Sequence, residues 1–212
     1  MIHLVSVAKN FHLHDGGTKL VLLPTTMDLP SDRPIAILGS KQQGKSVFLR
    51  LLSGVETPTQ GAVMSDARFS PVIRNGVLFR RKLSLIENIR FVARIMNFNP
   101  DELATAVDEF CRSGDAPARS AHGESDEHRK AAELALFSLL AFDCYLVDEI
   151  WLLPEVPRRQ LFDAAAERNA GVIFATSLSR LAREHAASGA VVRDHTVHYF
   201  PDIEEAIEFH ER

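Results

Sequence analysis

The sequence predicts an α/β fold in which a mostly parallel sheet lies between helices. Two observations carry that reading. Residues 34–38, 144–147 and 171–175 are continuous apolar runs without alternation, the pattern of strands covered on both faces. Helical patterns lie around them at 45–53, 85–97, 101–111, 127–142 and 158–169, the interleaving expected of α/β architecture. Each run ends in polar residues, namely Gly39, Asp148 with Glu149, and Thr176 with Ser177. Open α/β sheets place their ligands at that end of the strands.

The elements follow in chain order. Residues 3–7 and 20–23 flank the turn signal Asp15, Gly16, Gly17, which reads as an antiparallel hairpin ahead of the parallel sheet. The strand at 34–38 runs through a glycine-containing loop into the helix at 45–53. Residues from about 84 to 142 are mostly helical, broken at 113–117 and by a polar stretch at 122–130. They are expected to form a helical subdomain inserted into a core made of 1–83 and 143–212. The tail returns to strand at 191–192 and 196–200 and closes with an acidic helix at 202–211.

Composition narrows the function classes. The 212 residues suit one domain with a small subdomain. With 24 basic and 28 acidic residues the formal charge is −4, which argues against a broad nucleic-acid surface. Cys111 and Cys144 are the only two cysteines, too few for a disulfide framework or a four-thiolate zinc site. The N-terminus alternates too early for a signal peptide. The longest apolar stretch, 134–147, is interrupted by Ser138 and Asp143 and is too short to span a bilayer. The expectation is a soluble chain whose link to a membrane comes through a partner.

One segment carries specific chemistry. Gly39, Ser40, Lys41, Gln42, Gln43, Gly44, Lys45 and Ser46 fit G-x-x-x-x-G-K-[ST] in full, between an apolar strand and a helix, the context that gives the motif its meaning. The glycines let successive N–H groups face inward around a phosphate. The helix N-terminus adds positive potential. Lys45 supplies a charge for the β- and γ-phosphates, and the Ser46 hydroxyl suits Mg²⁺. Asp148, at the end of the second apolar run, stands where a phosphate-loop protein carries its second Mg²⁺-directed carboxylate. Glu149 follows as a candidate general base that activates the attacking water. A nucleotide and Mg²⁺ are the ligands these residues point to.

From these motifs onward the chain resembles the ATP-binding subunits of ABC transporters, and in particular those that export capsular polysaccharide and O-antigen. The segment 51–61, the start of the helical subdomain at 83–95 with Glu87 and Asn88, the approach to Asp148 and Glu149 at 140–149, and the closing segment 200–207 carry the similarity. It implies an ABC-type P-loop ATPase fold. It also implies a transmembrane permease partner, a head-to-tail homodimer or heterodimer of nucleotide-binding subunits, and a place on the cytoplasmic face of the bacterial inner membrane. Phe11 stands where the family carries an aromatic that stacks on adenine; by residue type alone it fits core packing equally well.

The departures from the family pattern are chemical. The Q-loop glutamine is replaced by Arg80, which neither accepts a hydrogen bond nor ligates a cation, and it reads as a surface charge. The signature segment falls at 123–130, where Ser125 echoes its serine but no glycine follows and Asp126 and Glu127 add negative charge. Ser177 replaces the switch histidine and lacks the imidazole's charge. Residues 150–155 lack the usual small residues of the D-loop. ATP binding with slow or partner-dependent hydrolysis is therefore expected. A docking surface for a helix of the membrane partner is expected at Val72, Ile73, Val77, Leu78 and Phe79, beside Arg80, Arg81 and Lys82. The alternatives are a regulatory ATP-binding pseudo-ATPase acting through a soluble partner, and a P-loop kinase or other nucleotide-dependent transferase.

Overall fold

The computed structural model describes residues 1–14, 16–74, 78–80, 82–113 and 126–212. The expectations for Asp15, Val77, Arg81 and Ser125, and for the break at 114–117, lie outside the described residues. The chain divides into two compact units, one of Met1–Val72, Phe142–Ile150 and Asn169–Arg212, the other of Ile73–Ala141 and Trp151–Arg168.

The first unit is built on two sheets. Strands β1 (Ile2–His12), β2 (Thr18–Leu29) and β4 (Gln60–Ser65) form an antiparallel sheet in the order β2-β1-β4. Strands β3 (Ile35–Leu38), β5 (Cys144–Val147), β6 (Gly171–Thr176), β7 (Ser188–Arg193) and β8 (Thr196–Phe200) form the second, in the order β5-β6-β3-β7-β8. All neighbours in it are parallel except β7 with β8. The three continuous apolar runs become β3, β5 and β6, and every residue of all three is buried. Helix α1 (Lys45–Leu52) places Phe48, Leu49, Leu51 and Leu52 in a core shared with Ile2, Leu4, Leu22, Ile35, Ile37, Leu146 and Ile173. Helix α6 (Ser179–His185) and the acidic α7 (Ile203–Glu211) complete the unit, with α7 against β7. The N-terminal hairpin is longer than the alternating segments suggested. β1 carries register shifts at three places, and bulges of that kind erase a strict period of two.

The second unit is helical: α2 (Leu85–Ile95), α3 (Pro100–Ser113), α4 (Asp126–Leu139) and α5 (Glu155–Glu167). α2 starts with a reciprocal capping box. The Ser84 hydroxyl accepts from the Glu87 N–H at 3.3 Å, and the Glu87 carboxylate accepts from the Ser84 N–H at 2.8 Å. Asn88, only 2% exposed, stitches the preceding loop. Its Oδ1 accepts from Arg80 N at 2.8 Å, while its Nδ2 donates to the Arg80, Leu83 and Ser84 carbonyls at 2.9–3.2 Å. Arg129 of α4 donates to the same Arg80 and Leu83 carbonyls, each at 3.1 Å. At the other end of α4, Arg168 donates to the Ser138 carbonyl at 2.6 Å, which satisfies one of the last free acceptors of that helix.

This unit also corrects the expected docking surface. Ile73 and Phe79 are buried at 1% and 6% exposure, and Val72 packs against the core of the first unit's sheets. Leu78 is half-buried. Exposed apolar residues of this unit lie along and just after α2, at Ile86, Phe91, Ile95 and Phe98, and also at Leu152 and Val156.

Candidate nucleotide site

The phosphate-loop motif takes its shape from two glycines. Gly39 has φ +156° and a Cβ there would meet the Val192 carbonyl at 2.7 Å; Gly44 is left-handed at φ +97°. Both positions are closed to other residues by backbone geometry or by space. Gln42 adds a further left-handed residue, φ +69°, inside the loop. Gly44 is the N-cap of α1, and no side chain caps that helix end nor does any acidic residue sit in its first turn. A helix start left open in this way offers its N–H groups and its positive potential to an anion.

Residues more than a hundred positions apart meet here. Lys45 is buried, and its ammonium donates to the Gly39 and Ser40 carbonyls at 2.5 and 2.8 Å. Burial pushes its pKa below the ordinary lysine value of 10.5, while the negative fields of Asp148 and Glu149 push it back up. The Ser46 hydroxyl donates to Asp148 Oδ1 at 3.1 Å, so the two residues expected at the metal lie side by side. Asp148 is 3% exposed. A buried carboxylate beside a hydroxyl is a set of hard oxygen donors, the kind Mg²⁺ takes together with substrate phosphates. Glu149, at φ +53° and two residues past the end of β5, follows Asp148 at this end of the sheet. One end of the sheet thus gathers an ammonium, a hydroxyl and a buried carboxylate, residue types suited to a phosphate and a hard cation.

Phe11 lies near the end of β1, half-buried, paired across the ladder with Lys19 of β2. Two residues along β2, the Val21 side chain lies 2.9 Å from where a Gly44 Cβ would be. The hairpin therefore reaches the phosphate loop at this point. Thr176, fully buried, pairs with Leu38 beside the start of the loop, and its hydroxyl accepts from Leu178 N at 3.0 Å. Ser177 follows it, just past the C-terminal end of β6.

Sequence reasoning missed two groups around the loop. Ser40 and Gln43 share a cavity of about 330 Å³ with Arg193, Asp194, His210 and Arg212; these come from the β7–β8 turn and α7, and no local pattern ties such tail residues to the motif. Lys9 is the other, and only the register of β1 reveals its neighbours.

No protein-family model matches the chain. It is 27% identical to the ATP-binding protein BexA of Haemophilus influenzae, over 99% of this chain and 98% of that protein. It is 26% identical to the capsule polysaccharide export ATP-binding protein CtrD of Neisseria meningitidis serogroup B, over the same shares. Its fold superposes on the dimeric post-hydrolysis structure of the ATP-binding cassette MJ0796 bound to ADP and Pi with a TM-score of 0.75 at 16% identity, covering 93% of this chain and 96% of that one. These similarities give no support to the pseudo-ATPase or transferase alternatives. The fold is that of ATP-binding cassettes of the ABC type, and in sequence the chain is similar over nearly its full length to BexA and to the capsule polysaccharide export ATP-binding protein CtrD.

Proposed function

We propose that this chain binds ATP with Mg²⁺ and drives the export of a capsular or related polysaccharide, as the cytoplasmic-face subunit of a bacterial inner-membrane transporter. The observation that carries the nucleotide reading is the convergence of Lys45, Ser46 and Asp148 on one loop, with Ser46 and Asp148 3.1 Å apart. The polysaccharide reading is supported by the near full-length similarity to the capsule polysaccharide export ATP-binding protein CtrD. The core proposed for this activity is 1–83 with 143–212, and the helical subdomain is about 84–142. In the bound state the loop amides of residues 39–44 and the Lys45 ammonium hold the triphosphate, and Ser46 and Asp148 hold the cation. Phe11 stacks on the base. Glu149 takes a proton from the attacking water as general base.

Arg80 can neither accept a hydrogen bond nor ligate the cation, and Ser177 lacks the imidazole's charge. We therefore assign the isolated chain slow turnover, completed by a homodimeric or heterodimeric partner and by a transmembrane permease. The test is calorimetry with Mg-ATP combined with single-turnover hydrolysis, for the chain alone and with its permease. Lys45→Ala is expected to weaken ATP binding at least about tenfold. Glu149→Gln is expected to keep binding and lose hydrolysis by roughly 10²-fold or more. A native chain that binds no Mg-ATP overturns the proposal, and rapid turnover without any partner overturns its kinetic part.

A further inference from the structure

Lys9 has no place in the phosphate-loop motif, yet it is one of the most heavily engaged cations in the first unit. It is 9% exposed. Its ammonium lies 2.6 Å from the Glu56 carboxylate, donates to the Thr57 carbonyl at 2.8 Å, and sits over the Phe11 ring at 4.7 Å from the centroid. Burying a lysine is unfavourable unless its charge is met. Here it is met by one carboxylate, one carbonyl and the face of one aromatic ring.

The register of β1 says which way that ring faces. Lys9 pairs with Leu22, but Asn10 pairs with Leu20, so Val21 is an extra residue in β2 opposite Lys9. Both Val21 and Leu22 are buried, as expected when a bulge turns two successive residues to one side. Val21 is the residue that meets Gly44 of the phosphate loop. Lys9 and Phe11, two apart on one strand, share a face, and it is the face on which Val21 lies. The anchor also continues into the loop's own helix. Arg50, in the last turn of α1, has its Nε 3.9 Å from Glu56, and Glu56 N donates to the Arg50 carbonyl at 3.0 Å. The segment after Glu56 is strapped along β1 as well, with Thr59 N donating to Ala8 O at 2.8 Å and Asn10 N to the Thr59 hydroxyl at 3.0 Å.

From this geometry we infer that Lys9 is a positioning residue: held by Glu56 and Thr57, it fixes the Phe11 ring from one side and presents the other as a preorganised platform for the nucleotide base. The inference rests on the reading of Phe11 as the base-stacking residue. A ring fixed before binding loses less freedom when the base arrives. Through Glu56 and Arg50 the platform is tied to the helix that opens at the phosphate loop, so base and phosphate subsites share one rigid frame.

The experiment compares Mg-ATP with Mg-tripolyphosphate, which fills the phosphate loop but has no base, by calorimetry on the full chain. Phe11→Ala is expected to weaken ATP about tenfold and leave tripolyphosphate unchanged. Lys9→Met is expected to weaken ATP about three- to fivefold, again without effect on tripolyphosphate. Lys9→Arg keeps a cation over the ring and restores ATP affinity. Glu56→Gln releases the anchor and gives the same base-selective loss, and it carries the test if Lys9→Met does not fold. If Phe11→Ala leaves ATP affinity unchanged, the platform reading itself falls. If Phe11→Ala loses affinity while Lys9→Met and Glu56→Gln bind ATP equally well or tighter, the role of Lys9 is overturned and that of Phe11 stands. Equal losses for ATP and tripolyphosphate in the Lys9 and Glu56 variants overturn it too, because they report general damage rather than a base contact.

Discussion

Lys45 is held in a site that disfavours its charge. Desolvation lowers its pKa, and only the fields of Asp148 and Glu149 oppose the shift. Between that lowered value and the ordinary lysine pKa of 10.5, the unfolded chain holds more protons than the folded one. Stability therefore rises with pH through this window. A triphosphate reverses the balance, since negative charge on the loop favours the protonated amine. ATP binding is thus expected to take up protons, at most about one per site, in the window between the lowered value and 10.5, and close to none well below that window. Calorimetry in pairs of buffers with different ionisation enthalpies measures this directly; proton release within the window contradicts it. The residues of the phosphate loop were legible in the sequence because the chemistry is contiguous: eight adjacent positions specify the cradle. Asp148 and Glu149 were legible because they end an apolar strand. Lys9 and the residues around Ser40 were not, because their neighbours are set by strand register and by the return of the tail. Cys144, in β5, is fully buried with its thiol pushed up to about 12 by desolvation, which removes it from thiolate chemistry at neutral pH.

At the scale of elements, the second unit depends on how α2 begins. Its first turn would leave N–H groups without partners, and Ser84 with Glu87 satisfies them reciprocally. The Glu87 carboxylate also accepts from the Ser84 hydroxyl, at 2.7 Å, and these bonds hold its pKa below the usual carboxylate range. Ser84→Ala removes the hydroxyl and is expected to destabilise this helix by about 1 kcal/mol. Hydrogen exchange at the α2 amides should show correspondingly faster opening, with β3 and β6 amides unaffected; uniform change across the chain would contradict a local cap. The same scale shows where the sequence was ambiguous. Continuous apolar runs gave β3, β5 and β6 almost to the residue. β4 is mostly exposed, with no apolar run to mark it. α6 has only seven residues and no side-chain cap, so neither period nor cap signal announces it. α5 begins at Glu155, three residues before its apolar pattern, because Pro157 suits a first turn where its missing N–H has no intrahelical partner to serve.

The whole molecule divides its duties between two kinds of surface. The first unit carries the buried carboxylate, the ammonium and the open helix end, all at the C-terminal edges of β3 and β5. The second carries uncovered apolar side chains on and after α2. Phe91 and Ile95 are one turn apart, so they share a face, and they are 50% and 62% exposed, with Phe98 at 46% just beyond. Single exposed apolar residues need no explanation, but a contiguous group of large ones on one helix marks an interaction surface. No helix among the described residues is long and apolar enough to cross a membrane, so the transporter role proposed above requires such a surface for its permease. Which apolar residues would serve was the part least legible in the sequence. Hydrophobic patterning distinguishes core from surface only where a helix is amphipathic in one direction, and the stretch before α2 offered no such contrast. The double variant Phe91→Ser with Ile95→Ser removes the apolar face and leaves the buried side of α2, with Ile89, Val92 and Ala93, intact. It is expected to keep ATP affinity within about twofold of the native chain while weakening association with the permease at least about tenfold, the loss of one or two well-packed interface anchors. Co-purification with the permease in detergent, read beside calorimetry on the soluble chain, separates the two effects. Undiminished association would place the docking surface elsewhere, and a parallel fall in ATP affinity would show that the variant disturbs the fold rather than the contact.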